Sequence, residues 1–168
     1  VDITGSASEL TAALVTSDTK VLVFTATATI SDAAETDIAA TVLSAIGAKT
    51  SGAVTATNAI DISGTTAEVT AALVTADTLV VAGSATVTIT GNPSITDLNA
   101  IAAKTSGVVT ATLAADSLSN LGALTTAGTD AITITVNDAA EADVTAANLS
   151  TLGCLLYTSP SPRDSGQS

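Results

Sequence analysis

The sequence predicts an α/β fold: a right-handed β/α solenoid of about six strand–turn–helix coils, with one parallel sheet and short helices on its other side. Three observations lead there. Segments that alternate apolar residues with Thr recur along the chain, as half-buried strands do. Each is followed by a turn and a short stretch with Ala and Leu at three- and four-residue spacing, the pattern of one buried helix face. And the phrase "AKTSGAVTAT" (48–57) returns as "AKTSGVVTAT" (103–112) with one change. An all-β parallel β-helix is the alternative architecture.

The strands come first. Val1–Ile3 reads as the tail of one, followed by "LVFTATATI" (22–30), "VTATNAIDI" (54–62), "ATVTI" (85–89), "VTATL" (109–113) and "ITITV" (132–136). Side chains alternate across a strand, so counting back by twos from Ile30, Ile62, Ile89, Leu113 and Val136 gives the inward face. That face holds Leu22, Phe24, Ala26 and Ala28; Val54, Ala56 and Ile60; Ala85 and Val87; Val109 and Ala111; Ile132 and Ile134. The opposite face is Thr: Thr25, Thr27, Thr29, Thr55, Thr57, Thr86, Thr88, Thr110, Thr112, Thr133 and Thr135.

Helices are expected over 8–14, 36–46, 67–73, 95–103, 116–124 and 141–153. Ser6 with Glu9, Asp32 with Glu35, Thr65 with Glu68 and Asp138 with Glu141 fit a capping box, in which two side chains satisfy orphan backbone N–H groups. Ser94 with Asp97 is a weaker version, and Asn92 before Pro93 is a rival cap. "DSLS" (116–119) lacks the acid. Gly47, Gly107, Gly128 and Gly153 follow helical stretches, where a stop is expected. The strand-end residues Ile3, Ile30, Ile62, Ile89, Leu113 and Val136 lie 27, 32, 27, 24 and 23 residues apart, within the leucine-rich-repeat range of periods but without that motif. Each unit brings the chain back to begin a parallel strand beside the last.

Composition fits a stack. Apolar residues make up 46% of the 168 and aromatics 1%, so the core must be built of Ala, Val, Ile and Leu. Small side chains stabilise a compact globule poorly and suit units that each cover a neighbour. The formal net charge of −12 argues against nucleic acid, whose phosphates need Lys and Arg, and against anionic membrane surfaces. No apolar run is long enough for a transmembrane helix, so membrane insertion is not expected. The sequence opens at Val1 inside a repeat and reads as a piece of a longer protein.

From Cys154 the text changes. "CLLYTSPSPRDSGQS" holds the only Cys, Tyr and Arg of the chain and two of its three Pro. Such a composition reads as a disordered end. "CLLYTSPSPRD" also resembles the in-frame translation of a transposase-type sequencing adapter. That resemblance implies a native module over 1–153 and a non-native tail over 154–168, with the gene continuing past Gly153.

Residues 1–153 resemble the repeats of very large, acidic, Ala/Thr-rich bacterial surface and exported proteins, adhesin-like proteins among them. The phrases that carry this are "ISDAAETDI", "ITVNDAAEADVTAANL" and "LNAIAAKTSGVVTAT". The resemblance implies an extracellular or cell-surface bacterial location and a structural role, as spacer or adhesive stalk. Its expected partners are neighbouring repeats of the parent protein and a surface, glycan or ice.

Catalysis is not expected: no His is present and no Cys outside the tail, so the commonest general base and the thiol nucleophile are missing. Lys20, Lys49 and Lys104 recur near helix exits, where a cation meets the negative end of the helix dipole. No cofactor is expected. Calcium is the alternative, since Asp32, Glu35, Asp138 and Glu141 could chelate, although capping already explains them and the calcium-loop motifs are missing. Another alternative is ice binding through the Thr face. Thr residues two apart sit roughly 6.7 Å apart along a strand and neighbouring strands roughly 4.8 Å apart, a spacing that resembles the flat ice-binding face of solenoid antifreeze proteins. Against it stand the ordinary fitness of Thr for exposed strand positions and the unequal coil lengths, which favour curvature. Lateral pairing through open sheet edges is a further route to partners.

Overall fold

The computed structural model describes residues 1–18, 21–139 and 145–156. It is a mixed α/β fold with parallel sheets, nine strands and six helices among the described residues. The strands are β1 (Asp2–Gly5), β2 (Thr27–Ile30), β3 (Asp37–Ala39), β4 (Val54–Ala56), β5 (Asp61–Thr65), β6 (Val80–Val81), β7 (Thr86–Thr90), β8 (Val109–Thr112) and β9 (Ala131–Thr133). The helices are α1 (Ala7–Leu10), α2 (Ala40–Gly47), α3 (Thr66–Leu73), α4 (Ile95–Ala102), α5 (Leu118–Leu121) and α6 (Ala146–Leu156). A turn of π-helix over Thr11–Val15 extends α1, and a 3₁₀ turn over Ala76–Thr78 comes after α3.

The strands form two sheets rather than the expected one. The first has the order β1-β2-β4-β6 and the second β3-β5-β7-β8-β9, every pairing parallel. The middle units therefore contribute a strand to each sheet. The run 54–62, expected as one strand, breaks into β4 and β5 at Asn58, whose carbonyl accepts the Ile60 N–H. Asn is a turn-forming residue. One unit earlier the chain turns over Asp32–Thr36, with Glu35 in the left-handed region at φ 62°. The two corners stack: Asn58 Nδ2 donates to the Asp32 carbonyl (2.6 Å) and the Glu35 N–H to the Ala59 carbonyl (2.8 Å). Alternation continues in phase through the corner, with Ala56, Ile60 and Ile62 all buried. A period-two reading cannot see such a corner.

The same explanation covers β3. The segment 36–46 was expected to be helical throughout, but Asp37–Ala39 pairs with β5, and α2 starts at Ala40. Leu22 and Phe24 depart from the expected inward face: both are exposed, and the strand starts only at Thr27. Val136, another expected inward residue, is also exposed and makes an isolated bridge with Asp116.

Elsewhere the inward face is as expected. Ala28, Ile30 and Val54 from the first sheet join Ile62, Val87 and Val109 from the second in one buried cluster. Leu43 and Ile46 of α2, Val69 and Leu73 of α3, and Leu98 and Ile101 of α4 complete it. Three expected caps are present: Ser6 and Glu9 on α1 and Thr65 and Glu68 on α3 form full capping boxes, and Ser94 rather than Asn92 caps α4. Ser117 caps α5 without an acid, with Asn120 at the third position. Gly47 ends α2, where a Cβ would lie 2.2 Å from the Thr78 carbonyl oxygen. Gly153 was expected to stop a helix, yet α6 runs through it to Leu156. That helix reaches three residues past the expected end of the module; residues 157–168 lie outside the described ones.

Candidate functional site

The eleven threonines expected on the outward face divide between the two sheets. Thr27, Thr29 and Thr55 lie on the first sheet, with Thr25 and Thr57 just outside its strands; Thr86, Thr88, Thr110, Thr112 and Thr133 lie on the second, with Thr135 just past β9. None of the eleven is buried. Register puts Thr88 opposite Thr110 and Thr112 opposite Thr133. Other rungs are mixed: Thr88 also faces Ser63, Thr110 faces Ala131, and Thr55 faces Val81. Thr27 and Thr86 each sit opposite an aspartate, and each hydroxyl donates to it, to Asp2 Oδ1 and Asp61 Oδ1 respectively. The threonine surface is thus divided: one patch spans β7, β8 and β9, and on the other sheet Thr4, Thr29 and Thr55 stand in register across β1, β2 and β4. It offers hydroxyls and methyls.

The candidate calcium ligands are not brought together. Asp32 Oδ2 accepts the Ala7 N–H at 2.6 Å, capping α1 of the preceding unit rather than a helix of its own. Asp138 does the same four helices on, accepting the Leu118 N–H of α5 at 2.9 Å. Glu35 lies in the corner described above, and Glu141 is outside the described residues. Among the described residues no group of three His, Cys, Asp or Glu side chains is placed to hold a metal ion. Lys49 and Lys104 are exposed two residues past α2 and α4; Lys20 is outside the described residues. A groove of about 680 Å³ passes Phe24, Lys49, Ser51, Asp77 and Val81, with one cation and one carboxylate in its lining.

The doubled "AKTSG" is where the structure adds most. In both copies the Thr hydroxyl, of Thr50 or Thr105, donates to a carbonyl of the preceding unit, Ala26 or Ala85. The same oxygen accepts the N–H of Gly52 or Gly107 at 3.0 Å. The Ser hydroxyl, of Ser51 or Ser106, donates at 2.9 Å to the carbonyl of Phe24 or Gly83. Gly is required because a Cβ at 52 or 107 would lie 2.1 or 2.2 Å from the carbonyl oxygen of Ala26 or Ala85. The motif is a clamp between consecutive units. A third version, "TTAGTD" (125–130), uses a carboxylate instead: buried Asp130 accepts the Val109 N–H (2.8 Å) through Oδ1 and the Ala127 N–H (2.9 Å) through Oδ2. There the buried Thr126 hydroxyl has no hydrogen-bond partner among the described residues. Asn99 adds a two-pronged link, donating to the Ala123 carbonyl and accepting the Thr125 N–H, both at 2.9 Å.

Sequence reading marked the doubled phrase as a sign of repetition. It missed the clamp, Asp130 and Asn99. The exact return of T-S-G at both sites was the available signal, because a repeated hydroxyl–hydroxyl–glycine triplet implies a repeated set of hydrogen bonds. Comparison with protein-family models, with curated proteins and with solved structures finds no match to the chain.

Proposed function

We propose that this chain is a structural repeat module, a right-handed β/α solenoid acting as a spacer or adhesive stalk segment of a large extracellular bacterial protein. The observation that supports it most is the unit-to-unit joint. The T-S-G clamp recurs at 50–52 and 105–107, and the aspartate that caps the preceding helix recurs at Asp32 and Asp138. The distinctive polar side chains are thus spent holding units together. A stack extended in this way supplies length, and the charge of −12 keeps it soluble through mutual repulsion.

Ice binding is the second reading, favoured by the in-register pairs Thr88–Thr110 and Thr112–Thr133. One experiment separates the readings. Residues 1–153 are assayed for thermal hysteresis and ice recrystallisation beside a variant carrying Thr88→Val, Thr110→Val and Thr133→Tyr. The stalk reading expects no activity in either protein; activity in the parent that the variant loses replaces it with ice binding. A melting temperature raised strongly by millimolar calcium and not by magnesium replaces it with a calcium-stabilised repeat, since a ligand of the folded state alone stabilises that state.

A further inference from the structure

Residues 1–30 and 60–89 align without a gap and are identical at 17 of 30 positions. The two copies share the same internal strand pairing and receive the same clamp from residues C-terminal to them. β1 pairs with β2 in the register by which β5 pairs with β7, Asp2 against Thr27 and Asp61 against Thr86. The Phe24 and Gly83 carbonyls, at matching positions, each receive the serine of a T-S-G clamp.

On the other side the copies differ. In the second copy, β3, α2 and β4 cover β5, α3 and β6; Val54 stands opposite Val80, and Asp37–Ala39 opposite Asp61–Ser63. In the first copy the matching face lies open. Val80 is 1% exposed and its counterpart Val21 is 59% exposed. Ile62, Ala72 and Ala82 are buried, whereas their counterparts Ile3, Ala13 and Val23 are only partly so. Val21 and Leu22 carry the apolar sequence of β6 without a strand partner among the described residues.

We propose that the face formed by β1, α1 and Val21–Val23 is a docking surface for one further unit of the 31–59 type, carried ahead of Val1 on the same chain. Its strands seat against Asp2–Thr4 and against Val21–Leu22, in the registers that β3 and β4 take against β5 and β6. This rests on the repeat-module reading and adds which face is unfilled and which kind of unit fills it. The internal template is complete, because Ala59 joins Ile60 directly, so a duplicate of 31–59 fused to Val1 reproduces a native junction without a linker.

The test compares the full chain with that extended chain. The extension is expected to raise the melting temperature by about 5 °C or more and to slow amide exchange at Ile3, Val21 and Leu22. Val21→Asp is expected to leave the parent's melting unchanged, because the side chain is exposed there, and to cancel the gain in the extended chain. A melting temperature equal to the parent's, with Val21 and Leu22 still exchanging freely, overturns the proposal. Self-association of the parent that Val21→Asp abolishes also overturns it, by making a second copy the occupant. Val80→Asp in the parent keeps the two levels apart. Loss of several degrees there upholds the stacked-unit reading whatever the extension does, and its absence would bring down that reading itself.

Discussion

At the scale of single residues, the strongest constraints fall on the clamp glycines and the capping acids. Gly107→Ala places a methyl 2.2 Å from a backbone oxygen, which cannot swing away as a side chain would. The substitution is expected to cost about 2 kcal/mol in urea unfolding. Gly83→Ala, where a Cβ meets nothing within 4 Å, is expected to change stability by less than about 0.5 kcal/mol. Glu9 and Glu68 have carboxyl pKa values held below the ordinary 4.5, first by the backbone N–H of the helix-capping residue, Ser6 or Thr65, and then by its hydroxyl. A carboxyl whose pKa is lower in the folded chain stabilises it above the unfolded pKa and loses that contribution as pH falls through the folded value. Thermal melts from pH 6 downward should therefore show stability falling once pH drops below about 4.5. The double variant Glu9→Gln, Glu68→Gln should show a shallower fall; an unchanged slope would remove the capping boxes from the account. Both boxes were readable in the sequence because each is local, closing over three residues. The reach of Asp32 to Ala7 was not, because spacing along the chain cannot distinguish a side chain that caps its own helix from one that caps the helix of the unit before.

Among elements, the corner separating the two sheets has an electrostatic cost. Parallel register places Asp37 directly opposite Asp61 in neighbouring strands, and like charges so placed repel. Thr86 offers Asp61 a hydroxyl, while Asp37, at the sheet edge, is exposed. Asp37→Asn is expected to raise stability by about 0.5 kcal/mol at low ionic strength. The gain should shrink as salt screens the pair, which melts in 10 mM and 500 mM NaCl would show. A gain independent of salt would assign the effect to something other than charge. Strand positions and their buried faces were largely legible, because alternation is a direct image of one side facing a core. Sheet membership was not. β4 and β5 keep one phase of alternation, broken only at Asn58, which takes an inward position yet is polar and exposed and marks the bend between them. Which threonines adjoin was not legible for the same reason: alternation identifies outward-facing residues but says nothing about which outward faces adjoin.

Over the whole molecule, charge and end-effects dominate. A net charge of −12 on 168 residues works against compaction. The full chain should thus melt several degrees higher in 500 mM than in 10 mM NaCl, and to the same extent with sodium or potassium; a response to calcium alone would point to a bound ion. Residues 154–168 differ in composition from everything before them, while Leu152, just ahead of them, is buried. Truncation after Gly153 is expected to leave the melting temperature within about 2 °C of the full chain, and a larger loss would show that the last turn of α6 contributes packing.

The clamps also set an order of events in time. Each reaches back over a short stretch of chain, 24 and 27 residues for Thr50 and Ser51 and 20 and 23 for Thr105 and Ser106, and each finds its acceptor in residues already synthesised. Asp32 likewise completes a helix that left the ribosome 25 residues earlier. Among the described residues no such joint waits for a distant C-terminal partner, so the chain can be built as it is translated, each unit serving as the template on which the next one sets. Contacts this local fold quickly, and the stretch left exposed at any moment of synthesis is about one unit long.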